Sequence, residues 1–590
     1  MRKILIFGVL NLFIFSSLLG QVVFVPLDSD VYEFIERMEI KGLTGRCFIG
    51  MKPLSRKEIL EYLMEILNSR KYKDLYSYEE EKLTEYLKEY SYEKNFMDEK
   101  YKKLLEILEE GIELLTEEKI SLSKDKQPPK WHPLKFPYEF YHKNSYLAFQ
   151  PLFKIQYNYN QSDTSFFDKN YRRLTGGGEI YGYLGDNIGF YFYGVNNAAQ
   201  GNKYDIEKID CPQQGIGVKI TDENNVYYEE VDVAVAFSTK YADLIIGRFS
   251  NYWGIGKTGS LTISNKPPSY PQIMLRAEFS NWLKFVYFHG WLESNIVNDS
   301  LSYCIDWGHG ERLYRKFFKK KYVAAHRLEI SPLKNLKFGF SEMLYYGERD
   351  PELVYFIPIM LFWSAQHYTN DQDNEQIGID IEWIPADFCK LYGSLLIDEI
   401  KLSNMFDKDK ARNQIAYQLG SYFVEPFIPG LDFRIEYTHL NPWVYTHKFP
   451  IDEATSDGYV MGYWTGQNAD NLYLGIDYQL NNNLKFSLNY SHYRKGAQDS
   501  IYYQYHTRPD TLPSEKFLYG HQYTKNTFGI SLEYEVIPKL YCKLGYESMD
   551  CKVNKVNIEL AETGKYVNPV LCKSDFTQNS LRFSIGYNLK

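Results

Sequence analysis

Two-residue alternation, clean in many segments between about residue 145 and the C-terminus, limits this chain to very few folds. In 376–383, Ile377, Ile379, Ile381 and Trp383 take one side, and Gln376, Gly378, Asp380 and Glu382 the other. In 431–438, Leu431, Phe433, Ile435 and Tyr437 oppose Asp432, Arg434, Glu436 and Thr438. The segments 484–491 and 527–535 and the C-terminal run from Leu581 to Leu589 repeat the pattern. Successive side chains of a strand point to opposite faces, so each segment reads as a strand with one apolar and one polar face. A soluble sandwich alternates as well. Here the polar side is often fully charged and the other side is almost all large and apolar, which suits a wall between lipid and a polar lumen.

The connections also alternate, short then long. Short turns are expected near 185–187, 241–242, 280–281, 333–334, 386–387, 425–429, 481–483 and 537–538. Long loops are expected near 161–173, 198–228, 250–271, 292–320, 349–374, 401–412, 441–470, 496–525 and 549–576. Eight turns and nine loops give eighteen strands, an even number that lets a barrel close with both ends on one side. The expected fold is a transmembrane β-barrel of about 18 antiparallel strands over 145–590, preceded by a small α-helical domain. Glu342 falls on the apolar side of 336–344, so a bulge or a position at the rim is expected there.

Composition agrees. Aromatic residues make up 17% of the chain, with 54 Tyr, as the aromatic girdles of a barrel require. Mean hydropathy is −0.43, and only the N-terminus holds a long apolar run, which argues against helical spans of ~20 residues. Arg2 and Lys3, the apolar run Ile4 to Leu19, and Gly20 read as a signal peptide over 1–20. A net charge of −9 without a basic block gives nucleic-acid binding no electrostatic support. The seven Cys are scattered without a CxxC, so no zinc or redox motif is suggested. Cys551 and Cys572 fall at the two bases of the last long loop, and a disulfide between them is expected in an oxidising envelope.

Residues 21–125 are different, rich in Glu, Lys and Leu. Val31, Phe34, Ile35 and Met38 recur at helical spacing, and Ser55 with Glu58 forms a capping box ahead of Ile59, Leu60 and Leu63. Two further helices are expected near 79–90 and 98–119, the last with Leu104, Leu105, Leu108 and Ile112 on one face. Pro128, Pro129, Pro133 and Pro137 mark a linker over 126–144.

The chemistry points to binding, not catalysis. Gly254, Gly256 and Gly259 spell G-x-G-x-x-G, but without a βαβ unit this is a tight loop in which backbone approaches backbone. No HExxH, G-x-S-x-G or paired carboxylates stand out, so no catalytic residue, metal or cofactor is expected. Asn370, Asp371, Asp373, Asn374 and Glu375 fit no EF-hand and read as a solvated acidic loop. Aromatic rings beside amides and acids in the long loops suit sugars, because rings stack on pyranose C–H faces. The candidate glycan-binding residues are Trp253, Tyr252, Trp363, Trp443, Tyr445 and Trp464. Arg248, Arg276, Glu278, Arg327, Glu329, Arg434 and Glu436 point to the lumen side and are expected to pair across the barrel.

Gly247-Arg248, Trp253-Gly254-Ile255-Gly256, Gly259-Ser260-Leu261 and Ser264 resemble the central signature of Wzi-type capsule-assembly outer-membrane proteins. So do His326-Arg327-Leu328-Glu329, Gly339-Phe340-Ser341-Glu342, and Pro442-Trp443 with Tyr445-Thr446-His447. Val25-Pro26-Leu27-Asp28, Val31-Tyr32 and Pro53-Leu54-Ser55-Arg56 are similar to family members that begin with a helical, S-layer-homology-like module. The resemblance implies an eighteen-stranded barrel in the outer membrane, with a periplasmic helical domain that helps close the lumen. It implies a non-enzymatic, lectin-like role in attaching or organising capsular or other surface polysaccharide. The partners it implies are that polysaccharide, outer-membrane lipid, and cell-wall polymer through residues 26–70. Lys590, rather than an aromatic, ends the chain, which departs from the usual barrel signal. The alternative is a porin for sugars or other small solutes, tethered to the cell wall by its helical module.

Overall fold

The computed structural model describes residues 22–96, 137–163, 169–185, 187–201, 211–222, 225–239, 241–308, 311–369, 372–399, 413–497, 516–554 and 575–589. Eighteen strands form the wall. They are β1 (Ser145–Ser162), β2 (Asn170–Leu184), β3 (Ile188–Gln200), β4 (Asn225–Ser238), β5 (Ala242–Phe249) and β6 (Tyr270–Ser280). Next come β7 (Leu283–Val297), β8 (Phe318–Leu333), β9 (Leu336–Gly347), β10 (Asn374–Ala386), β11 (Cys389–Glu399) and β12 (Gln414–Val424). The last six are β13 (Leu431–Leu440), β14 (Ala469–Asn481), β15 (Leu484–Lys495), β16 (Tyr523–Ile537), β17 (Leu540–Val553) and β18 (Phe576–Tyr587).

Each strand pairs antiparallel with the next, and β18 returns to β1 with Tyr587 opposite Phe153. Closure leaves no strand edge unpaired in the wall. Along β13 the alternation is realised as expected: Asp432, Arg434, Glu436 and Thr438 are buried inside, while Leu431, Phe433, Ile435 and Tyr437 are half-exposed outside. Tyr241, Trp282, Trp383, Phe388 and Phe427 are exposed near the short turns and form an aromatic girdle at that end.

Two details differ from the sequence reading. Glu342 sits in unbroken register, opposite His326 on one side and Ile377 on the other, without a bulge. It is tolerated on the outer face because the loop after β9 folds down over it. The described end of the expected linker is a strand, Tyr138–His142, which forms a hairpin with the start of β1.

Ahead of the barrel lie helices α1 (Val31–Ile40), α2 (Arg56–Leu67) and α3 (Ser77–Glu89). The capping box forms: Ser55 Oγ accepts from the Glu58 amide at 3.2 Å, and Glu58 Oε2 accepts from the Ser55 amide at 2.9 Å. Val31, Ile35, Met38, Ile59, Leu63, Leu83 and Leu87 pack into one small core. The module is seated at the short-turn end of the barrel. Lys71 pairs with Asp387, Lys41 with Glu425 at 3.0 Å, and Lys539 with Glu89 at 2.9 Å. The expected helix at 98–119, the signal peptide and Cys572 lie outside the described residues, while Cys551 is buried near the outer end of β17.

Candidate functional site

Acids of the helical module meet bases of the wall. Glu58 on α2 pairs with Arg276 of β6 at 2.9 Å and Lys284 of β7 at 3.0 Å. Glu36 on α1 pairs with Arg434 of β13 at 3.0 Å and with Lys390 of β11. Glu39 pairs with Lys337 of β9 at 3.0 Å. Glu33 lies 3.0 Å from both Lys257 and Lys485. Charges taken out of water are stable only when closely matched, so each pair fixes the module's seat. Burial alone would raise the Glu58 carboxyl, but Arg276 and Lys284 outweigh it and hold the group well below the usual carboxylate range.

This corrects the expected pairing across the barrel. Arg276 and Arg434 pair with the module. Arg327 pairs with Glu329 of its own strand at 2.7 Å and with Asp380 at 2.5 Å. Glu436 accepts the backbone amides of Lys257 and Thr258 at 2.7 and 2.9 Å, and the Tyr392 hydroxyl at 2.7 Å. Glu278 is largely exposed, 3.4 Å from Lys284, and Arg248 donates to the Val231 carbonyl at 3.5 Å. For Arg276 and Arg434 the partners are module acids 218 and 398 positions away in the chain, a distance that no local pattern encodes.

The loop between β5 and β6 also folds inward. Its Tyr252–Trp253 pairs with Met51–Lys52 of the module, and the Gly254 amide donates to the Gly50 carbonyl at 2.9 Å. Gly254 and Gly259 take φ of 146° and 155°, and a Cβ on Gly256 would collide with Gln418 and the Gly259 carbonyl. The glycine-rich stretch is thus a close backbone approach.

The six candidate glycan-binding aromatics do not share one exposed surface. Trp253 is 1% exposed and meets Phe288 edge-on at 5.0 Å. Tyr252 donates to the Gly256 carbonyl at 2.6 Å. Trp443 and Tyr445 are buried; the Tyr445 hydroxyl donates to the Leu261 carbonyl at 2.7 Å and accepts the Tyr463 amide at 3.0 Å. Trp464 leans on Tyr493 at 5.1 Å. Trp363 is 61% exposed, but on a short helix, α4 (Phe362–His367), outside the wall. Long loops that turn into the lumen convert would-be surface rings into core.

A cavity of about 540 Å³ remains inside, between the module and strands β1 to β5 with β17 and β18. Tyr171, Tyr191 and Tyr193 supply rings, and Gln156, Asn158 and Asn197 supply amides. Arg173 donates to Gln156 at 2.9 Å and to the Tyr228 hydroxyl at 3.3 Å. Among the described residues, the buried Arg173 Nε, Asn197 Nδ2 and Arg582 Nε find no hydrogen-bond partner. Rings beside spare donors suit a polyhydroxylated ligand. Sequence reasoning missed these residues. The polar side of 154–160 (Lys154, Gln156, Asn158, Asn160) was visible, but nothing set it apart from the other strands. Asp373 accepts Arg349 at 2.6 Å, Asn370 and Asp371 lie outside the described residues, and among the described residues no His, Cys, Asp and Glu cluster is arranged for a metal.

Among solved structures, Wzi of Escherichia coli aligns with a TM-score of 0.53 at 12% identity, covering 96% of this chain and 100% of that one. Wzi is described there as an outer membrane protein involved in group 1 capsule assembly and a carbohydrate-binding β-barrel. OprD of Pseudomonas aeruginosa (TM-score 0.38, 12% identity, 74% and 92% covered) and OccAB1 of Acinetobacter baumannii (0.41, 10%, 75% and 96%) are looser matches. No curated protein sequence matches the chain. The capsule assembly protein Wzi family matches residues 154–563, most of the barrel, and the chain belongs to that family.

Proposed function

We propose that this protein binds surface polysaccharide and helps attach or organise it on the outer membrane, without catalysis. The observation that carries the reading is a barrel with an ion-paired helical module seated in it and a cavity between the two that is lined by rings, amides and spare donors. Family membership supports it, as does the fold shared with a carbohydrate-binding barrel. The module's charged residues in 33–58 face the wall, which supports a plug on the periplasmic side over a cell-wall tether. The same pairs weigh against the porin reading, which needs an open lumen.

The sugar contacts are assigned here to the cavity, not to the buried tryptophans. The test is titration of the purified surface polysaccharide into the full chain in detergent, alongside Arg173→Gln with Arg582→Gln. Hydrogen bonds from charged donors are worth about 1.5–3 kcal/mol each, so affinity should fall at least about tenfold in a variant that remains folded, shown by a cooperative melt. Equal affinity in the variant would move the site elsewhere, and no binding by the unaltered chain would refute the function.

A further inference from the structure

Residues 348–369, in the connection between β9 and β10, lie against the outside of the barrel. Its Tyr355, Phe362 and Ala365 are buried against Tyr287, Tyr322, Leu344 and Tyr346. Those four are outward-facing, because their strand neighbours Phe288, Val323, Met343 and Tyr345 belong to the interior cluster. Elsewhere the outward face is open: Phe340 of β9 is 44% exposed, whereas Leu344 and Tyr346, further along the same strand, are 0% exposed.

The contacts are specific. The Tyr287 hydroxyl donates to the Tyr355 carbonyl at 2.7 Å. Phe356 stacks on His289 at 4.2 Å, and Phe362 on His326 at 4.7 Å. The Trp363 amide donates to Glu342 at 2.9 Å, and Glu342 pairs with His326 at 2.8 Å. The inner side of this clasp therefore covers polar outward side chains, His289, His326, Glu342 and, through Gln366 at 2.8 Å, Glu375 among them, which are costly against hydrocarbon.

Its other side is apolar. Leu353 and Ile359 are 81% and 82% exposed, and Leu361 and Trp363 are exposed beside them. Height identifies what covers them. Glu342 lies six residues above Leu336, where β9 leaves its short turn. At about 3.3 Å per residue and a tilt of about 40°, that is roughly 15 Å. The apolar band of such barrels is about 25 Å tall, and the girdle of Trp282, Trp383 and Phe388 marks its lower edge. The contact with Glu342 thus falls roughly 10 Å inside the band's outer limit.

We propose that residues 353–363 are an accessory membrane segment: they lie in the outer leaflet and their exposed side chains bind the acyl chains of its lipids. This requires the barrel to sit in a membrane and is independent of glycan binding. The test places photoreactive p-benzoylphenylalanine at Ile359, and separately at Leu353, in the full chain in its native outer membrane. The same residue at Phe340 on the open wall serves as the lipid-facing reference. Irradiation should attach lipid at both clasp positions at a yield within about threefold of the Phe340 reference. Adducts of twice the chain mass would show that a second copy covers the face and overturn the proposal. So would the absence of lipid adducts at both positions while Phe340 is labelled.

Discussion

Glu58 caps α2 with the same carboxylate that neutralises Arg276 and Lys284. Replacing it removes the carboxylate that Arg276 pairs with and leaves Lys284 only the exposed Glu278 at 3.4 Å, and breaking such a buried pair costs about 3–5 kcal/mol. Glu58→Gln is therefore expected to loosen the module, read as faster proteolysis within residues 22–96. The pH dependence has a definite sign. Glu58 and Glu36 have carboxyls held below their unfolded value of about 4.3 by the paired bases. Such groups stabilise the folded state above the unfolded value and lose that contribution as pH falls. The melting temperature should hold between about pH 5 and 8 and drop below about pH 4, less steeply in Glu58→Gln. Trp253 is a packing residue, and Trp253→Ala should cost about 3–5 kcal/mol as a buried large-to-small change. An unchanged melting temperature would contradict its place in the core. That burial was not legible beforehand: Tyr252-Trp253 among glycines reads as surface loop until its pairing with Met51–Lys52 is known.

At the scale of elements, legibility follows the range of the physics. Strands such as β13 and β15 were readable because the two-residue period is local and survives whatever the neighbours do. The capping box at Ser55 and Glu58 was readable for the same reason. The direction of a long loop is not local. The loop between β5 and β6 turns inward because Gly254, Gly256 and Gly259 let it lie against the module and Gln418. Gly256→Ala should force a shift there, costing about 1–3 kcal/mol and lowering the denaturant midpoint, with the secondary-structure content intact. Glu342 carried a sequence signal whose meaning was misread. An acid on the apolar side marks a covering loop, neither a bulge nor a position at the rim: the register runs unbroken through Glu342, and the Trp363 amide covers it.

For the whole molecule, eighteen strands and an even closure were legible because turns and loops alternate in length along the entire chain. The plug's seat was not, since its ion pairs join residues that the sequence places hundreds of positions apart. Those pairs seat the module at the short-turn end of the wall, and the proposed function takes the barrel as a scaffold instead of a pipe, with the polar cavity between module and wall as the ligand site. Ion conductance across a planar bilayer tests this most directly, comparing the unaltered chain with Glu36→Lys combined with Glu58→Lys. The unaltered chain should be silent at voltages where open porins of similar strand number conduct, and the charge-reversed variant should open in steps. A large, steady conductance from the unaltered chain would contradict the sealed barrel and restore the porin reading.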